Sequence, residues 1–146
     1  MTVTRTQVEY IITKRLGGYL ARAEMTGETG EDNEYLADPI GWAMRLLGYS
    51  PASIITVTDD DLADVASGHT DALLDLAELR TIESMITNLD DVNVTAGPVR
   101  TEWTALRTDL MKQLIAKRSA VSAMWGHLLS TPLDGDAAKS VRLIAL

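Results

Sequence analysis

Two histidines, a run of three aspartates and an Asp-Gly-Asp triplet are the residues whose types suit catalysis or metal binding. His69 and His127 lie far apart in the chain, and neither stands beside a specified Ser nucleophile. There is no Cys and no Gly-x-Ser-x-Gly elbow, so a nucleophilic triad has no second member. Packing or surface roles are the reading for both rings. Asp59-Asp60-Asp61 carry the charge to attract a hard cation. Successive helical residues point about 100° apart, however, so three neighbours do not converge on one ion. As first-turn residues they complement the helix dipole instead. Asp134-Gly135-Asp136 opens like a calcium loop but lacks the later acidic ligands and the closing Glu, and reads as a turn. Gly27-Glu28-Thr29-Gly30 lacks the Gly-Lys-Ser/Thr ending of a phosphate loop, and no Gly-x-Gly-x-x-Gly occurs. Asn93-Val94-Thr95 matches a glycosylation sequon by chance, since Met1 opens onto a polar stretch and not onto a signal peptide. No catalytic set, metal or cofactor is expected; the chain reads as a non-enzyme.

The elements that position these residues belong to a chain of 146 residues, 46% hydrophobic, with 21 acidic and 13 basic side chains and a net charge of −8. That length suits one compact domain. The acidic balance argues against a protein whose main task is gripping nucleic acid by its phosphates. The charge is unevenly placed. Residues 1–98 hold 17 acidic and 6 basic side chains (−11), and residues 99–146 hold 4 and 7 (+3), which together return −8. An acidic body with a basic last third suits head-to-tail attraction between like subunits; a solvated acidic surface plus one basic helix is the alternative. No apolar run is long enough to span a bilayer, so a soluble intracellular domain without a membrane partner is expected.

Helical periodicity dominates. Val8, Ile11, Ile12, Leu16, Tyr19 and Leu20 form one stripe over Thr6 to about Ala23. Thr4 or Thr6 caps it, Glu9 stands in a capping-box relation to Thr6, and Gly17-Gly18 marks a place to end or kink. Asp38-Pro39 reads as an N-cap and first-turn proline of a short helix that Gly48 stops in the left-handed conformation. Ser53 to Val57 is a β-branched run, a short strand or an extended connector. Thr58 opens an apolar pattern of about 30 residues, interrupted at Ser67-Gly68, that is one kinked helix or two. Arg80 to Ile86 is apolar on more than one side, which calls for more than one neighbour. Asp90 to Pro98 reads as a loop. Val99 or Arg100 begins a last long helix carrying Trp103, Leu106, Leu110, Leu114, Val121, Trp125 and Leu128, with Arg107, Lys112, Lys117 and Arg118 opposite, ended by Thr131-Pro132. The three tryptophans sit at helical spacing among Leu and Met and read as core.

The fold class that follows is all-α: a small helical bundle with two long helices, short N-terminal helices and an extended C-terminal tail. Residues 1–130 form the body and 131–146 the tail. The tail ends in Val141, Arg142, Leu143, Ile144, Ala145 and Leu146, a hexamer too apolar to be left in water without consequence. Added as a strand to a partner's sheet, it would gain backbone hydrogen bonds. Folding back onto its own bundle is the alternative.

The stretches Asp75-Leu-Ala-Glu-Leu-Arg-Thr-Ile-Glu-Ser-Met-Ile86, Asp90-Asp-Val-Asn-Val-Thr-Ala-Gly-Pro-Val-Arg100 and Leu106 to Leu114 resemble the head–tail adaptor (connector) proteins of tailed bacteriophages. The resemblance covers roughly residues 58–120, and its motifs are not catalytic signatures. It implies a structural virion protein made in the host cytoplasm and located in the neck between capsid and tail. There it forms a homo-oligomeric, dodecameric ring under the portal protein, extends the DNA channel and receives the next tail, stopper or terminator protein. It also implies that the C-terminal tail, Val141 to Leu146, reaches onto the portal, so deleting Leu133–Leu146 is expected to weaken portal binding. DNA would pass without specific contact, since an acidic lining repels phosphates. Arg107, Lys112, Lys117 and Arg118 on one side, and Asp71, Asp75 and Glu78 on the other, are the candidate subunit-interface residues. A tail-completion or terminator protein of the same particle and a small helical regulatory or interaction protein are the alternatives.

Overall fold

The computed structural model describes residues 2–27, 32–96 and 100–133, apart from the side chains of 91–96 and 100–102. The described chain is all-helical, without strands. Five α-helices follow in order: α1 (Arg5–Arg22), α2 (Ala37–Leu46), α3 (Asp59–Ala63), α4 (Thr70–Ala96) and α5 (Arg100–Trp125). Single 3₁₀ turns sit at Glu34–Leu36, Ser67–His69 and Gly126–Leu128. The Thr58 pattern is therefore two helices, parted by the turn at Ser67–His69.

Helix α4 is the axis of the molecule. It packs against α5, α2 and α1, and Leu73, Leu76, Leu79, Ile82, Met85 and Leu89 are almost wholly buried along it. This is the multi-sided burial that the apolar pattern over Arg80 to Ile86 called for. Leu106, Leu110, Leu114 and Val121 of α5 are buried in the same core, at the spacing of one helical stripe. The pairs Arg107–Asp90, Arg118–Glu83 and Lys117–Glu78 link α5 to α4 in opposite sequence order, so the two helices run antiparallel. At 27 and 26 residues, each is about 40 Å long.

The helix ends show where local signals acted. Thr4 caps α1 in a capping box with Gln7, not with the Thr6 and Glu9 pair. Glu9 bonds Arg5 and the Asn33 backbone instead. Helix α1 runs unbroken through Gly17-Gly18, because its buried face, Val8, Ile12, Leu16 and Leu20, continues across them. It ends in a Schellman arrangement: the Met25 N–H donates to the Leu20 carbonyl and the Glu24 N–H to Ala21. Glu24 takes the left-handed position with φ 59°. Helix α2 begins one residue before Asp38, which lies in its first turn and is not the N-cap. The 3₁₀ turn at Glu34–Leu36, capped by the Asn33 side chain, leads straight into it. Gly48, with φ 93°, closes α2 as expected, with Tyr49 N–H on the Met44 carbonyl and Gly48 N–H on Arg45.

Two boundaries move. Asp90 to Ala96, expected as loop, continue α4. Asn, Val and Thr each lower helix propensity by only a fraction of a kcal/mol, roughly 0.7 at most, and the first strong breakers are Gly97-Pro98. Helix α5 stops at Trp125, short of Thr131-Pro132, where Gly126 starts the 3₁₀ turn. The chain then clamps onto the end of α2. The Ser130 N–H donates to the Leu46 carbonyl at 2.7 Å, its hydroxyl to Arg45 at 3.2 Å, and Leu133 is buried.

Candidate functional site

A half-buried ionic cluster forms where α1, α4 and α5 meet. The Arg15 guanidinium lies 3.0 Å from Asp75 and 3.5 Å from Glu78, and Lys117 Nζ lies 3.5 Å and 2.7 Å from the same two carboxylates. The Trp125 indole N–H donates to the second Asp75 oxygen at 2.8 Å. Asp75 and Glu78 are three residues apart, so one face of α4 presents both. Burial pushes the Asp75 carboxyl up. The Trp125 hydrogen bond, the Lys117 charge and the bond and charge from Arg15 outweigh it, so the group titrates below the ordinary range. Two carboxylates and two cations oppose one another in this cluster, and their pairs tie three helices together.

The expected interface residues thus divide. Asp75, Glu78 and Lys117 are engaged within the chain. Arg118 pairs with Glu83 at 3.2 Å and Arg107 with Asp90 at 2.6 Å. Lys112 and Asp71 are exposed and join no ion pair among the described residues. Val141 to Leu146, like Asp134 to Asp136, lie outside the described residues.

The aspartate run diverges, each carboxylate taking its own task. Asp59 accepts the Arg5 backbone N–H at 2.7 Å, and Asp60 is exposed. Asp61 faces back over the loop that precedes it. One Asp61 oxygen accepts the Ala52 N–H at 3.1 Å, and the other accepts the Thr58 N–H at 2.9 Å and the Thr58 hydroxyl at 3.1 Å. Thr58 and Asp61 also form a capping box for α3. The backbone bonds from Thr58 and Ala52 hold the Asp61 carboxyl below the usual carboxylate range; burial opposes them, and the Thr58 hydroxyl adds to them. A single carboxylate therefore clasps both ends of the connector 52–58.

What the clasp presents is apolar. Ile54 and Ile55 are 87% and 81% exposed at the tip, while Val57 is turned into the core. The Ser53 hydroxyl accepts the Ile55 N–H at 3.0 Å, which bends the segment away from a strand. Of the two readings of Ser53 to Val57, strand or extended connector, the connector is the one found, and its bare tip is the feature that neither reading contains. The available signal was the adjacency of its isoleucines: neighbours on an extended segment face opposite sides, so two consecutive isoleucines do not both reach one core.

Arg5 supports this end of the molecule. Although 3% exposed, it donates to the Val57 carbonyl at 2.9 Å and the Asn33 carbonyl at 2.7 Å and pairs with Glu9. It thereby ties the start of α1 to two loops.

Of the histidines, His69 Nδ1 lies 2.7 Å from the Tyr49 hydroxyl, which also accepts the Ala66 N–H at 2.9 Å. This fixes the turn between α3 and α4. His127 is exposed. The tryptophans pack against the core from partly buried positions, with the Arg80 guanidinium 5.3 Å over the Trp42 ring. Among the described residues, no helix is long and apolar enough to cross a membrane, and no group of three His, Asp or Glu side chains is placed to hold a metal ion.

No protein-family model, no curated protein and no solved structure matches this chain.

Proposed function

We propose that this chain is a structural virion protein, a head–tail adaptor that forms a ring between the portal and the tail and continues the DNA channel. The observation that carries the reading is where the resembling stretches lie. Asp75 to Ile86 sits on α4 and Leu106 to Leu114 on α5, two helices of nearly equal length packed antiparallel and bridged by ion pairs. The resemblance therefore falls on one structural unit, the long hairpin at the centre of the fold. The acidic balance of residues 1–98 suits a surface past which DNA slides.

The tail carries the portal contact in this reading. Because Leu133 is buried with the core, a truncation that tests the tail is cut after Leu133, retaining the residues that clamp onto α2. Full-length protein is expected to bind isolated portal, and the 1–133 form to bind it markedly more weakly with unchanged helical content. Equal binding by both forms sinks the role of the tail. Binding to the tail tube and not to the portal replaces the adaptor reading with that of a tail-completion or terminator protein.

A further inference from the structure

We propose that copies of this chain associate head to tail, the Ile54–Ile55 tip of one docking on the exposed face of α5 around Ile115 of the next. The tip is held in place, with Asp61 clasping its base on both sides, so its two bare isoleucines are a fixed feature of the surface. Contiguous exposed apolar surface rimmed by polar residues marks contact sites, and Ile54 and Ile55 are adjacent and both bare. The helix that follows the tip in sequence, α3, is acidic. Asp60 and Asp64 are exposed and pair with no cation among the described residues, and Asp59 engages a backbone N–H alone.

The complementary surface is on α5. Ile115 is 64% exposed, between small exposed residues, Ala116 and Ser119, that let another chain approach closely. Lys112 stands three residues before Ile115, on the same side of the helix; it is exposed and joins no ion pair among the described residues. An apolar tip followed by an acidic helix thus matches an apolar spot beside a free cation.

The proposed contact pairs one tip with one face per two copies, whereas a closed twofold dimer would pair both at once and give no ladder in the double variant below. Each copy that uses its tip keeps a free α5 face, and each that uses its face keeps a free tip. Such heterologous contacts close into rings or run on as filaments. The inference supplies a subunit contact for the proposed ring and rests on that reading only for the ring's place in the particle.

The absence of cysteine gives a clean test. Ile55→Cys and Ile115→Cys, each checked for unchanged circular dichroism, are oxidised mildly alone and in equal mixture. The mixture is expected to give a heterodimer well beyond the roughly twofold excess over each homodimer that random collision gives. The double variant is expected to give a ladder of higher covalent oligomers. Lys112→Glu should cut the heterodimer yield severalfold at low salt, and Asp60→Lys added on the tip-bearing copy should restore it. Homodimers at statistical yield, or no cross-link at all, overturn the contact. A cross-link that forms only once residues 134–146 are removed also overturns it, by making the chain's own tail the occupant of the α5 face. Heterodimer formation without portal binding leaves this contact standing and removes the adaptor reading; portal binding without heterodimer does the reverse.

Discussion

Asp75 shows how much one side chain can join, accepting from Trp125 on one oxygen and facing Arg15 and Lys117 with the other. Asp75→Ala is expected to cost about 1 kcal/mol, because it strands a half-buried indole N–H while Lys117 keeps Glu78. The tryptophan fluorescence should move to longer wavelength as the Trp125 ring gains water. Two carboxylates, Asp61 and Asp75, titrate below their ordinary value of 3.8 in the folded chain. A depressed folded value means the unfolded chain takes up protons first. Their contribution is therefore complete above pH 3.8 and is lost as the pH falls from there through their lower folded values. Acid titration of thermal stability should decline in that window, and less steeply in Asp75→Ala. None of these partnerships was legible in the sequence. Lys117, Asp75 and Glu78 read as charges for an interface between subunits, and only the docking of α5 on α4 and α1 brings them together within one chain.

At the scale of elements, local chemistry was readable at some caps and stops and not at others: Asp38 lies inside the first turn of α2, and the Thr6–Glu9 box does not form. Thr58 with its aspartates starts α3, and Gly48 ends α2, because those signals act within one helical turn. The failures arise where packing overrides propensity. Gly17-Gly18 looks like a break, yet the apolar stripe of α1 carries the helix across it. A side chain fits there: a Cβ on Gly18 would meet nothing within 4 Å. Gly18→Ala is therefore expected to stabilise the protein by about 0.5–1 kcal/mol, raising the denaturant midpoint without changing its slope. A loss of stability would place a bend in α1 after all. The extension of α4 over Asp90 to Ala96 has the same origin, since a helix once nucleated propagates until a strong breaker stops it. The Ile54–Ile55 tip is hidden for the opposite reason: a β-branched run reads as a strand or an extended connector, and neither reading says which side chains the connector leaves bare.

The whole molecule is one core arranged around α4, and the fold class was evident from periodicity alone. Which segments close the core was not. Leu133 lies beyond the last helical turn and before the Asp-Gly-Asp triplet, yet it is buried, with Ser130 pinned to the end of α2. Truncation to residues 1–129 is expected to lower unfolding free energy by about 2–3 kcal/mol relative to 1–133, through one lost leucine and two hydrogen bonds. Equal denaturation midpoints for the two forms would remove Leu133 from the core. The anchor has a further consequence for whatever the terminal hexamer meets. Val141 is eight residues past Leu133, so its Cα stays within roughly 28 Å of that fixed point even when the chain is fully drawn out. For two contacts made at once, one by the body and one by the hexamer, that bound sets how far apart they can lie. A weak grip by the hexamer can then act as a strong one once the body has been brought to the same surface.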